Sequence, residues 1–183
     1  MRSLARRRGV PGNRQDLETE GPLEVREMTC GDLDRVIPIE RDSFINPWAR
    51  RDFLFGLQRS DGFAVVALYR GTLSGYAVGF ERDMEFHLAN FAIESKVRRR
   101  GHGSVLLGWI VRTMSQKGMK LISLEARSRN HPAIKLYEQH GFRKIAIRKG
   151  YYSFPEDDAF VMIKMLEENE PVGAGLPDVR ACP

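Results

Sequence analysis

At 183 residues, 42% hydrophobic and 29% charged, the chain is long enough for one domain with a sizeable core and too apolar for the disordered class. The net charge of +5 owes much to residues 1–14, "MRSLARRRGVPGNR", which hold five arginines and no acid. No apolar run approaches the length of a membrane span. The two cysteines, Cys30 and Cys182, sit near opposite ends, which gives neither a disulfide framework nor zinc-ligand spacing and favours a reducing, cytoplasmic setting.

Gly9, Pro11 and Gly12 break any helix in the arginine-rich segment, and it lacks the apolar stretch of a signal peptide. Residues 1–22 are therefore expected to form a basic, flexible tail, and the Gly/Pro-rich residues 168–183 a second one. A basic arm of this kind is also suited to drawing a protein toward RNA or a ribosome. The folded domain is expected over residues 23–167.

In chain order, "LEVREM" (23–28) alternates as a strand. "DLDRVIPIERDSF" reads as a helix disturbed at Pro38. "NPWARRDFLFGLQ" reads as a second, with Asn46 as N-cap and Pro47 at its first position. "GFAVVALYRGTLSGYAVGFE" is a hairpin turning at Arg70-Gly71, and "EFHLANFAIE" a further strand. From Ser104 to Lys117, the positions Val105, Leu106, Trp109, Ile110 and Met114 recur at helical spacing. "LISLEA" is a strand, and "NHPAIKLYEQHGF" a helix capped by Asn130 and stopped by Gly141. "FRKIAIRKGYY" and "DAFVMIKML" close as strands. The order β-α-α-β-β-β-α-β-α-β-β describes an α+β (α/β) domain.

Between the strand "EFHLANFAIE" and the next helix lies "VRRRGHGS", with Arg98, Gly101 and Gly103 in an Arg-x-x-Gly-x-Gly pattern. A helix start carries unpaired N–H groups and a positive dipole end, and glycines let an anion approach the backbone, so a diphosphate fits there. The segment is no Walker loop, because no Gly-Lys-Ser/Thr follows, and its two glycines do not make a dinucleotide fingerprint.

"NFAIESKVRRRGHGSVLL", "LEARSRNHPAIKLYEQHGF" and "GYY", in this order, closely resemble the GNAT family of acetyl-coenzyme A-dependent N-acetyltransferases, within it the RimI-like branch of protein N-terminal acetyltransferases. The resemblance implies a GNAT fold: a mixed central sheet, flanked by helices, with a splay between two parallel strands. It implies acetyl-CoA as acetyl donor, its pantetheine arm bonding along Phe91, Ala92 and Ile93. The pyrophosphate is then expected over Arg98, Arg99, Arg100, Gly101, His102, Gly103 and Ser104. Asn130 matches the family asparagine on the pantetheine side, although a plain helix cap explains it equally well.

Acyl transfer to an amine needs a base for the ammonium and an acid for the leaving thiolate. By resemblance Glu125 is the base and Tyr137 the acid. Glu125 also stands out on its own, because a carboxylate in an otherwise apolar strand needs a reason. His87 and Glu40 are lesser candidates for proton relay, read first as a structural strand histidine and a solvated helix residue. Phe44 and Trp48, in "SFINPW", and the pair Tyr151 and Tyr152 match residues that shape the acceptor site. Ile45 and Asn46 depart from that pattern.

The implied acceptor is the free α-amine of a protein N-terminus, with ribosomal proteins among the candidates. Lysine, a small amine, a non-catalytic acetyl-CoA-binding module and an RNA-binding protein are the alternatives, since a fold does not fix a substrate. No metal is expected.

Overall fold

The computed structural model describes residues 23–166. The two expected tails and Cys182, and with it the state of the cysteine pair, lie outside the described residues. The elements are β1 (Glu24–Glu27), α1 (Leu33–Ser43), α2 (Arg50–Gln58), β2 (Gly62–Tyr69), β3 (Thr72–Arg82), β4 (Glu85–Ile93), α3 (His102–Gln116), β5 (Leu121–Arg127), α4 (His131–Gln139), β6 (Arg143–Ser153) and β7 (Glu156–Met165). Their order and type are those read from the sequence.

All seven strands form one sheet in the order β1-β2-β3-β4-β5-β7-β6. Every pairing is antiparallel except β4 with β5. Strand alternation sends side chains to both faces, and helices lie on each. Leu33, Val36 and Ile39 of α1 and Phe53 of α2 pack with Val66, Tyr76 and Val78 on one face. Leu106, Leu107, Ile110 and Met114 of α3 and Ile134 of α4 pack with Val65, Ala77, Ile122 and Leu124 on the other. The fold is a three-layer α/β/α arrangement. Among the described residues no helix is long and apolar enough to cross a membrane.

Local chemistry accounts for most boundaries. Arg70 and Gly71 both take positive φ, 51° and 72°, in the tight hairpin turn between β2 and β3. Gly141, at φ 83°, ends α4. Two readings need correction. Trp109 is only half-buried at the core's edge, 6.3 Å from the Phe63 ring, and Val105 is 48% exposed rather than part of the buried stripe. Helix α2 begins at Arg50 with Ala49 as N-cap, and the Asp52 carboxylate takes the Ala49 N–H at 2.7 Å. Asn46 and Pro47 stay outside the helix because their loop is held elsewhere.

Candidate active site

The parallel pairing of β4 and β5 is short. Glu85 faces Leu121, Phe86 faces Ile122 and His87 faces Ser123, and there it stops. β4 nevertheless stays paired with β3 up to Ile93, and β5 with β7 up to Arg127. From Leu88 onward β4 and β5 therefore part, and β4 turns a row of backbone groups unpaired by β5 toward the gap. Such an edge accepts an extended ligand as an added strand. A register shift opposite Val78 and Gly79 inserts Ala89 into β4, which sends Asn90 toward the α1 face.

A cavity of about 300 Å³ fills this gap. Phe91, Glu125, Asn130, Tyr137 and Tyr152 line it, with Glu40, Phe44 and Trp48 on the acceptor side. Residues scattered over more than a hundred positions of sequence thus meet in one space.

Glu125 sits on β5 with its side chain 15% exposed. Its Oε1 meets the Arg148 guanidinium at 3.2 Å, and its Oε2 meets His87 Nε2 at 3.4 Å. An ammonium arriving here finds a carboxylate already faced by one cation. Arg148 in turn lies 5.5 Å over the Tyr151 ring. The sequence gives no sign of it, because it is one of several cations on β6 and only the sheet order lets it reach Glu125 across β7.

Tyr137 is buried on α4 between Phe91 and Phe142, at ring distances of 6.4 and 5.7 Å. Burial first, and the neighbouring Tyr152 second, push its phenol well above the ordinary tyrosine value. It therefore holds its proton across the physiological range. Tyr152 is also raised, by burial and by Tyr151, and carries the Arg127 guanidinium 4.0 Å over its ring. Tyr151 is 49% exposed and packs edge-on to Tyr152 at 5.0 Å, outside the cavity lining.

On the acceptor side, Glu40 departs most from expectation. Rather than a solvated helix residue, it is 1% exposed. It accepts Trp48 N–H at 2.6 Å, Asn90 Nδ2–H at 3.2 Å and the Tyr76 hydroxyl. Three donors compensate the buried carboxylate. Burial and the Glu40 charge hold the Tyr76 phenol protonated. The loop 44–49 is fixed a second time by Asn46, whose Nδ2 donates to the Phe154 carbonyl at 3.2 Å. Arg127 donates to the same carbonyl at 3.1 Å and to that of Pro155 at 3.0 Å. The two walls that carry Phe44 and Tyr152 are tied together across the mouth of the cavity.

At the start of α3, Gly101 is the N-cap at φ 87° and Arg99 is also left-handed at φ 64°. The first helical bond is Val105 N–H to the Gly101 carbonyl, and the N–H groups of Gly103 and Ser104 precede it in the first turn, without helical acceptors. This is the geometry an anionic phosphate requires. The side chains contribute unevenly. Arg98 is turned back to the Ile93 carbonyl at 2.8 Å and Ser43 Oγ at 2.8 Å, and its N–H goes to Ser95. Arg99 and Arg100 are exposed, and the buried His102 ring stacks 5.0 Å from Tyr69. Ser104 Oγ contacts His140 Nε2 at 2.8 Å. At Gly103 an added Cβ would come to 3.4 Å from Leu136 and 3.5 Å from Ile93. Asn130 caps α4 through Ala133 N–H at 3.3 Å while lining the cavity. An open strand edge leading to a helix N-terminus fits a pantetheine arm followed by a diphosphate.

Known proteins resemble this chain in sequence and in fold. Residues 33–142 match the model of the Acetyltransferase (GNAT) family. The [ribosomal protein bS18]-alanine N-acetyltransferase of Salmonella typhimurium is 30% identical over 137 residues, covering 74% of this chain and 92% of that one. The crystal structure of the ribosomal-protein-S18-alanine N-acetyltransferase from Escherichia coli superposes with a TM-score of 0.76 at 24% identity, over 84% of this chain and all of the other. Arabidopsis thaliana NAA60, solved in complex with acetyl-CoA, shares the fold at a TM-score of 0.70 and 19% identity, over 79% of this chain and 98% of that one. The chain belongs to the GNAT family of acetyltransferases, enzymes whose acetyl donor is acetyl-CoA.

Proposed function

We propose that the protein transfers the acetyl group of acetyl-CoA to the free α-amine of a protein N-terminus, with Glu125 as base and Tyr137 as acid. The observation that carries this reading is that both residues, on different elements, line the one cavity that opens where β4 and β5 part.

The chemistry sets what each must do. An α-ammonium, with a pKa of about 8, is mostly protonated at neutral pH and cannot attack. Over the whole reaction it loses two protons, one to become nucleophilic and one as the amide forms. Glu125 takes the first; Tyr137, protonated because it is buried, supplies a proton to the departing thiolate and takes up the second as the amide nitrogen releases it. Arg148 and His87 fix the Glu125 carboxylate toward the cavity. General acid and base assistance of this kind is worth about 10²–10⁴-fold each. Acetyl-CoA supplies the activated acetyl group, held by the β4 edge and the start of α3.

An N-terminal rather than internal acceptor is favoured by the tied mouth. Asn46 and Phe154 join the two walls, and Phe44, Trp48 and Tyr152 line the acceptor side with aromatic surface. The similarity to ribosomal-protein-S18-alanine N-acetyltransferases points the same way, toward an alanine of a ribosomal protein. The arginine-rich residues 1–14 supply a cationic arm toward a ribosomal acceptor in the cytoplasm.

Thiol release from acetyl-CoA, measured against peptides beginning Ala, Ser, Met or Gly, tests the reading. Peptides with blocked N-termini and an internal lysine, and spermidine, run beside them. Release confined to free N-termini is expected. Release only with lysine or spermidine overturns the acceptor, and acetyl-CoA binding without release to any amine overturns catalysis.

A further inference from the structure

We propose that the part of the sheet left bare on the α1–α2 side is a dimer interface, on which a second copy of this chain packs its own β5 and β7 side chains.

Alternation and register define the face. Ile122 and Leu124 of β5 belong to the core with α3 and α4, so Leu121, Ser123 and Glu125 point the other way. Their β7 partners Met165, Ile163 and Val161 share that side. On β6, Arg143 faces Ile163 and Ala146 faces Val161. Helices α1 and α2 leave this region open. Among the described residues, the core with those two helices takes its strand residues from β2, β3 and β4 alone. Leu121, Val161, Ile163 and Met165 belong to neither core, and Met165 is 63% exposed. A contiguous apolar patch of this kind marks an interaction surface.

The order of charge across the strands selects the occupant. On the β4 side of the apolar stripe stands Glu85, exposed and opposite Leu121. On the β6 side stands Arg143, also exposed. The other cations of β6 are engaged within the chain, Lys144 with Glu138, Arg148 with Glu125 and Lys149 with Asp158. Arg143 is the one whose charge is left for a partner. Half a turn about an axis that follows the strands between β5 and β7 exchanges the two flanks. It lays stripe on stripe, brings β6 of each copy over β4 of the other, and directs each Arg143 toward the Glu85 opposite. That is an isologous, self-complementary contact. A uniformly acidic or basic partner would meet like charge on one flank.

Beyond β4 the face runs into a second cavity of about 440 Å³, lined by Phe55, Arg59, Phe80, Arg82, Glu85 and His87. Phe55 of α2 is 60% exposed there, although the Arg59 guanidinium lies 5.3 Å over its ring. The same rotation carries the outer edge of the second copy's β6 to this cavity, where the exposed Ile145 finds an apolar seat. The acceptor entrance stays clear, because Asn46, Arg127 and Phe154 tie it at the other end of β5. Four strands by five residues make a face of about 20 by 17 Å. This is at the small end of specific interfaces, so a dissociation constant of about 1–100 µM is expected.

Sedimentation equilibrium of the full chain tests the proposal. The average mass should rise from near 20.9 kDa at about 1 µM toward twice that value at about 200 µM. Met165→Asp, Arg143→Glu and Glu85→Arg change exposed positions, so melting temperatures should stay close to the parent's. Each is expected to weaken association at least about tenfold. The double variant Arg143→Glu/Glu85→Arg reverses both flanks together and should return to within about threefold of the parent. A parent that keeps the mass of one chain at about 200 µM overturns the proposal. So does a dimer that the three single variants leave intact, or a double variant that associates no more tightly than the singles.

Discussion

The carboxylate of Glu40 accepts the backbone N–H of Trp48 at 2.6 Å from a position only 1% exposed. With Asn90 and Tyr76 on the same carboxylate, this joins α1, the loop to α2, β3 and the irregular stretch of β4. Glu40→Ala strands several buried donors at once and is expected to cost about 2–4 kcal/mol of stability. Denaturant unfolding checks this. A loss below about 0.5 kcal/mol, typical of an exposed glutamate, would contradict it.

Tyr137→Phe should lower kcat by about 10²-fold and leave acetyl-CoA affinity nearly unchanged, because only the proton donor is removed. The pH profile adds a second check. Burial, then Tyr152, raise the Tyr137 phenol above the ordinary value. Its acid form therefore persists through pH 10, and kcat should show no fall between pH 9 and 10 that depends on this residue. A fall there that disappears in the variant would contradict the assignment.

Asp32 predicts an acid dependence of folding. Its carboxyl is held at about 2, against 3.8 unperturbed, chiefly by the Arg26 guanidinium at 2.7 Å, with the Thr29 N–H assisting and burial opposing. A depressed value means stabilisation that is complete above the unfolded pKa and lost as pH falls through the folded one. Allowing for screening at the half-exposed Arg26, the contribution is about 1–2 kcal/mol. Asp32→Asn should lose that amount at pH 6, and the gap should close near pH 2. Thermal melts across this range decide it, and a gap unchanged at pH 2 would be the contrary result.

Gly101 holds φ 87° at the start of α3, with nothing within 4 Å of where a Cβ would sit. The cost of Gly101→Ala is therefore conformational rather than steric, about 1 kcal/mol or slightly more. Because the strain falls where the helix N–H groups are presented, acetyl-CoA affinity should drop with it. Isothermal titration is the check; unchanged affinity would remove the phosphate from this turn.

The order of elements was legible because helical and strand periodicities are local properties. Turn chemistry at Arg70-Gly71 and the stop at Gly141 were legible for the same reason. Glu125 could be singled out as a carboxylate in an apolar strand. What stayed hidden depends on sheet order. Arg148 meets Glu125 across β7, and Asn46 meets Phe154 over a separation of 108 residues. Glu40 reads as solvated because a helix of alternating charge gives no sign that one face is sealed by a loop. Asn-Pro commonly starts helices, which makes Asn46 look like a cap; its amide is engaged across the cavity mouth instead.

In the proposed function, this site acetylates a chain's first amine. The most direct measurement uses one peptide carrying both a free N-terminal alanine and an internal lysine, incubated with acetyl-CoA and the enzyme, with the acetyl group located by tandem mass spectrometry. Acetyl is expected on the α-amine alone, at a rate cut about 10²-fold or more by Glu125→Gln at pH 7. Acetyl on the lysine with the α-amine untouched, or an α-amine rate unmoved by Glu125→Gln, would contradict it.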